Sequence, residues 1–105
     1  MKTYKPYILK YTNISDLVGY FKHNSDVAAT HILNAILYGY ENKLEIIEIF
    51  VLQNSINNKK QFLNSSRKDW VDQLDHIMKI FIDHEMYEEA AQTRDSITFL
   101  KTAYI

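Results

Sequence analysis

Four histidines and a run of carboxylates are the groups of this 105-residue chain that could carry chemistry. Asp72 and His76 stand four apart, a spacing that puts both on one face of a helix, and His31 could approach from another element. A zinc or iron centre needs three or four converging ligands held by further hydrogen bonds, and the sequence offers one pair. The histidines are therefore read as solvated or capping residues, with no metal or other cofactor expected. Asp83, His84, Glu85, Glu88 and Glu89 resemble paired catalytic carboxylates, but they fall where one helix should end and the next begin. Negative charge at a helix start is favoured by the helix dipole. Cysteine is absent, which excludes disulfides and thiolate metal sites. The two glycines, Gly19 and Gly39, lie in helical contexts, so neither a phosphate-cradling loop nor a nucleophile elbow can form. No residue is assigned a catalytic role, and the chain is not expected to be an enzyme.

Charge narrows the partners. Twelve Lys and Arg against thirteen Asp and Glu leave a net charge of -1, without the basic excess that nucleic acid or an anionic membrane would select. Lys59, Lys60, Arg67 and Lys68, interleaved with Phe62 and Trp70, form the one possible nucleic-acid edge. Lysines at strand ends also discourage edge-to-edge pairing, and that plainer reading is preferred. No apolar run reaches membrane-spanning length, and the basic residues 1–5 lead into no signal-type stretch. A cytoplasmic protein without membrane contact is expected.

The positioning elements follow from periodicity. Residues 1–12 lack a clear period; Pro6 with Tyr4, Tyr7 and Tyr11 suggests an extended arm that packs or pairs locally. Asn13 can cap a short helix with Ile14, Leu17, Val18 and Phe21 on one face. Ser25 is the next cap, followed by a stripe of Ala29, Ile32, Leu33, Ile36 and Tyr40 that Ala28, Ala35 and Leu37 broaden. This should be the most buried helix, ending near Gly39 and Asn42. Residues 44–53 are ambiguous. Asn42 and Glu45 could open a helix with a capping box, yet Ile46, Ile47, Ile49, Phe50 and Val51 are β-branched or aromatic. A turn-like Asn54–Asn58 stretch and a return at Lys60–Leu63 favour a β-hairpin. Ser66 and Asp69 then box a helix over 67–84, with a last helix over 86–102. The chain reads as one domain, 1–105, of mostly helical α+β class: a helical pair at 14–41, a β-hairpin at 45–64 and a C-terminal antiparallel helical hairpin at 67–102.

That last hairpin carries the sharpest pattern. Leu74, Met78, Ile82, Met86-Tyr87-Glu88, Ala90-Ala91, Arg94-Asp95, Ile97 and Leu100 recur every three or four positions, down one helix and back up another. Ala90 and Ala91 should let the backbones approach beside Phe81 and Ile80. Arg94 has no acidic residue four positions away and is expected to clamp the hairpin by reaching Asp75 or another carboxylate of the preceding helix.

Over residues 74–101 the pattern resembles the UVR motif, the helical hairpin of excision-nuclease subunits B and C. Ile82 stands where that family has alanine, Met86 where it has an acidic residue, and Thr93 where it has leucine. The resemblance implies an interaction module that packs against a second hairpin, with Ile82, Met86, Tyr87 and Phe99 as partner-binding residues. The expected function is thus a small non-enzymatic accessory regulator that docks its C-terminal hairpin onto a larger protein machine. The alternative is a transcription-linked adaptor, of the kind tailed phages encode, touching RNA polymerase or DNA through the basic edge. A homodimer paired through its hairpins is a third expectation.

Overall fold

The computed structural model describes residues 5–103; Tyr4, assigned above to the extended arm, lies outside the described residues. The order is β1 (Tyr7–Tyr11), α1 (Ile14–His23), α2 (Ser25–Glu41), β2 (Ile46–Asn54), β3 (Lys60–Ser66), a 3-10 turn (Arg67–Asp69), α3 (Trp70–Asp83) and α4 (Tyr87–Ala103). The helical pair, the β-hairpin and the antiparallel α3–α4 hairpin are all present, and the fold is α+β. The ambiguous stretch is strand. A bulge between Glu48 and Phe50 inserts one residue opposite Leu63, and Ile49 and Phe50 both end up in the core.

The extended arm becomes a third strand. β1 runs parallel to β2, with Tyr7 opposite Phe50 and Leu9 opposite Leu52, while β3 returns antiparallel on the other side of β2. Parallel neighbours need a crossover, and α1 with α2 supplies it. The helices cover one face of the sheet. Leu9, Phe50 and Leu52 join the core with Leu33 and Ile36 of α2, whereas Ile8 and Phe62 on the opposite face stay exposed.

Asn13 caps α1 as its sequence suggests: its side chain accepts from the Asp16 N–H at 3.2 Å, and the Asp16 carboxylate accepts from the Asn13 N–H at 3.1 Å. Only half of the expected α1 stripe is used. Leu17 and Phe21 pack on the core, while Ile14 and Val18 remain exposed. Ser25 is the first helical residue of α2 rather than its cap, and its hydroxyl lies 3.0 Å from His84 Nε2 at the end of α3. Ser66 Oγ donates to the Asp69 carboxylate at 2.8 Å, side chain to side chain, so the expected capping box, whose bonds run to backbone N–H groups, does not form; a 3-10 turn comes first and α3 proper starts at Trp70.

Two helix ends use the left-handed backbone without glycine. Lys43 (φ 56°) follows α2 and Glu85 (φ 58°) follows α3. At each, paired reverse hydrogen bonds close the helix: Leu44 N–H to Gly39 O at 2.9 Å, and Met86 N–H to Phe81 O at 2.8 Å. At the second site Met86, half-buried, then packs against the core, which aims the chain back along α3. Gly39 does different work from marking a helix end. A Cβ there would meet Ile47 Cγ2 at 2.6 Å and the Trp70 ring at 2.9 Å.

Gly39→Ala is expected to cost about 1–3 kcal/mol by overpacking this junction. Glu85→Gly should stabilise the chain by about 1 kcal/mol by removing the left-handed penalty. Urea unfolding midpoints at constant m-value check both.

Candidate functional site

Met86, just before α4, and Ala90, Thr93, Ile97 and Leu100 within it make one narrow inward stripe, spaced four, three, four and three. Thr93 is fully buried in this stripe, and its hydroxyl donates to the Glu89 carbonyl at 2.7 Å. That bond is why a hydroxyl can stand where an aliphatic side chain was expected. Ala90 is buried in the same cluster as Phe81. Ala91, rotated by one residue around the helix, lies instead in a groove toward α2. The paired alanines thus serve two neighbours rather than one.

The expected Arg94–Asp75 clamp does not form. Arg94 donates through Nε and Nη2 to its chain neighbour Asp95, both at 3.2 Å, and its side chain is mostly exposed. Asp75 faces Lys79 at 3.7 Å, one turn along its own helix. The position before Arg94 takes the inward direction, leaving the guanidinium on a rim where a local carboxylate is nearer. Surface pairs of this kind contribute under about 1 kcal/mol, so the hairpin rests on its apolar seam.

The groove between α2 and α4 holds about 660 Å³. Leu37 and Tyr40 line it from α2, and Ala91, Phe99 and Leu100 from α4, with Glu88 and Asp95 among its polar residues and, among the described residues, no Lys or Arg. Phe99 stands edge-on to Tyr40, ring centroids 5.1 Å apart at 80°, yet stays more than half exposed. Of the four expected partner-binding residues, only Phe99 lies here. Ile82 and Tyr87 are exposed near the α3–α4 turn, and Met86 lines a separate hollow of about 350 Å³ with Tyr7, Val27 and His31. Twelve residues of helix separate Tyr87 from Phe99, roughly 18 Å at 1.5 Å per residue. They are two surfaces, not one. The groove was invisible in the sequence because it depends on which side of α4 meets α2.

The residues of the suspected nucleic-acid edge are likewise dispersed. Lys59 and Lys60 stand at the β2–β3 turn, and Arg67 and Lys68 at the far end of β3. Seven strand steps separate the pairs, roughly 23 Å. Arg67 is also engaged: it donates to the Leu44 carbonyl at 3.0 Å, pairs with Glu45 at 3.0 Å, and lies 6.0 Å from the Trp70 ring centre. It ties the start of β2 to the start of α3.

Nor do the histidines converge. Asp72 and His76 are both exposed on α3, while His31 sits between α2 and the sheet against Phe50 and Tyr7. Among the described residues, no group of three or more His, Cys, Asp and Glu could hold a metal ion. His31 Nε2 lies 2.7 Å from the Ile49 carbonyl and 3.1 Å from the Tyr7 amide nitrogen. These contacts demand opposite protonation of one atom. A carbonyl can only accept, so the shorter contact fixes the hydrogen on Nε2. Burial pushes the imidazole below its ordinary value, partly offset by the Ile49 bond. The unfolded chain then binds a proton more readily than the native one, so His31's contribution to stability is full above pH 6.5 and is lost as pH falls through its lower native value. Urea unfolding of the wild type should therefore show a midpoint that drops across this range, and His31→Gln should flatten the drop.

No helix among the described residues is long and apolar enough to cross a membrane. Comparisons of the chain with protein-family models, with curated proteins and with solved structures find no match.

Proposed function

We propose that this chain is a non-enzymatic interaction module that docks its C-terminal helical hairpin onto another protein, with the α2–α4 groove as the contact surface. The observation that carries this reading is the groove itself: an exposed Phe99 braced by Tyr40, above an apolar floor, beside Glu88 and Asp95. Aromatic anchors in partly formed pockets supply most of the energy in protein interfaces. Residues 88 to 99 span roughly 16 Å of helix, enough to accept three turns of a partner helix. The acidic side chains favour a partner whose apolar stripe is flanked by Lys or Arg. Because α3 and α4 are already folded against each other, docking orders few residues, which keeps the entropic cost low. The UVR-like spacing is consistent with such a module but supplies no partner.

Selection of peptides displayed on phage against the full chain tests this. Enriched sequences should be amphipathic and basic, and Phe99→Ala should weaken them about tenfold or more. The Glu88→Lys, Asp95→Lys double variant should weaken them as well, while Tyr87→Ala leaves them unchanged. Binders that ignore Phe99→Ala but are lost with Tyr87→Ala would move the contact to the α3–α4 turn and overturn the groove reading.

A further inference from the structure

The outer face of the sheet, opposite the core, carries a pattern that the register makes legible. Ile8, Val51 and Phe62 are opposite one another on β1, β2 and β3, and form an apolar row across all three strands. Ile8 is 56% exposed and Phe62 51%, while Val51 between them is 7% exposed. Two residues along the strands on one side, Lys10, Gln53 and Lys60 make a second row. On the other side stand Glu48 and its partner Asn64. A positive row, an apolar row and a row with one carboxylate therefore follow in order along the strands.

We propose that this face binds a second copy of itself, sheet against sheet. Two such faces can stack about a two-fold axis lying either along the strands or across them. An axis along the strands would set Lys10 and Lys60 over the same lysines of the second copy, which like-charge repulsion opposes. An axis across the strands, along the apolar row, reverses the order of the rows. It lays Ile8, Val51 and Phe62 on their own equivalents and puts each Glu48 between Lys10 and Lys60 of the second copy. The charge order thus selects one packing, with the sheets about 10 Å apart as in an aligned sandwich. Three strands at about 4.8 Å present a face only about 15 Å wide, less than a permanent dimer needs. The association is accordingly weak and concentration-dependent. It leaves the α2–α4 groove unused, so it stands or falls separately from the docking reading.

Sedimentation equilibrium of the full chain between about 10 µM and 1 mM tests the proposal, with unfolding midpoints confirming that each variant is folded. The wild type should pass from monomer to dimer over this range. Phe62→Glu and Ile8→Glu, at exposed positions on different strands, should each weaken the dimer at least about tenfold. Glu48→Lys should weaken it too, and adding Lys10→Glu with Lys60→Glu to that variant should restore it, since the row order is merely inverted. A wild type still monomeric near 1 mM would overturn the proposal. So would a dimer that ignores Phe62→Glu and Ile8→Glu but is lost with Phe99→Ala, or a failure of the charge inversion to rescue Glu48→Lys.

Discussion

The structure depends on one close approach. The absent side chain at Gly39 lets Ile47 of β2 and the indole of Trp70 reach the backbone of α2, so that the central helix, the central strand and the first turn of α3 meet at a single point. Trp70 is fully buried there, and its ring N–H donates to the Ser65 carbonyl at 3.4 Å. Arg67 closes the outer side by joining Leu44 and Glu45 to the same corner. Interiors pack at near-crystalline density, so the angle of α3 against α2 is set by this corner rather than by the longer helix surfaces. Since α4 is carried on α3, the corner also fixes where α4 meets α2, and hence the shape of the groove.

Layering explains which surfaces are left to interact. The sheet uses one face for the core, and α4 lies beyond, packed chiefly on α3 with a lesser contact to α2. Among the described residues, two of the surfaces left open are the groove between α2 and α4 and the outer side of the sheet. They differ in charge as well as place. Glu88 and Asp95 make the first acidic, and Lys10 and Lys60 make one band of the second basic. A net charge near neutrality thus conceals two surfaces of opposite sign.

Helix positions were readable where a helix buries one stripe and caps itself with local side chains. Asn13, the α2 stripe and the seam of α3 all declared themselves through periodicity and capping chemistry. The β-hairpin was readable through β-branching and the polar turn. β1 was harder to see, because Tyr7–Tyr11 alternates over five residues only, and its partner β2 is remote in sequence. The inward turn of Thr93 was hidden too, since threonine looks polar until its hydroxyl is satisfied by the helix's own backbone. Arg94 misled for a related reason. Spacing indicates which residues share a face, but a rotation of one position decides whether a long side chain reaches a neighbouring helix or falls back on its own. The candidate docking residues divided among the groove, the α3–α4 turn and a separate hollow, because apolar positions on a hairpin need not point the same way.

The parallel pairing of β1 with β2 bears on the order in which the chain can assemble. The β2–β3 hairpin and the α3–α4 pair each close over short loops, and can form as soon as their residues are available. Tyr7 must instead find Phe50, 43 positions away, across both crossover helices. Closing so long a segment carries a conformational cost that only a nearly complete core can offset. β1, the earliest of the three described strands in chain order, is thus among the last to be seated, and until then the β2 edge that will receive it is an open template for any other extended chain.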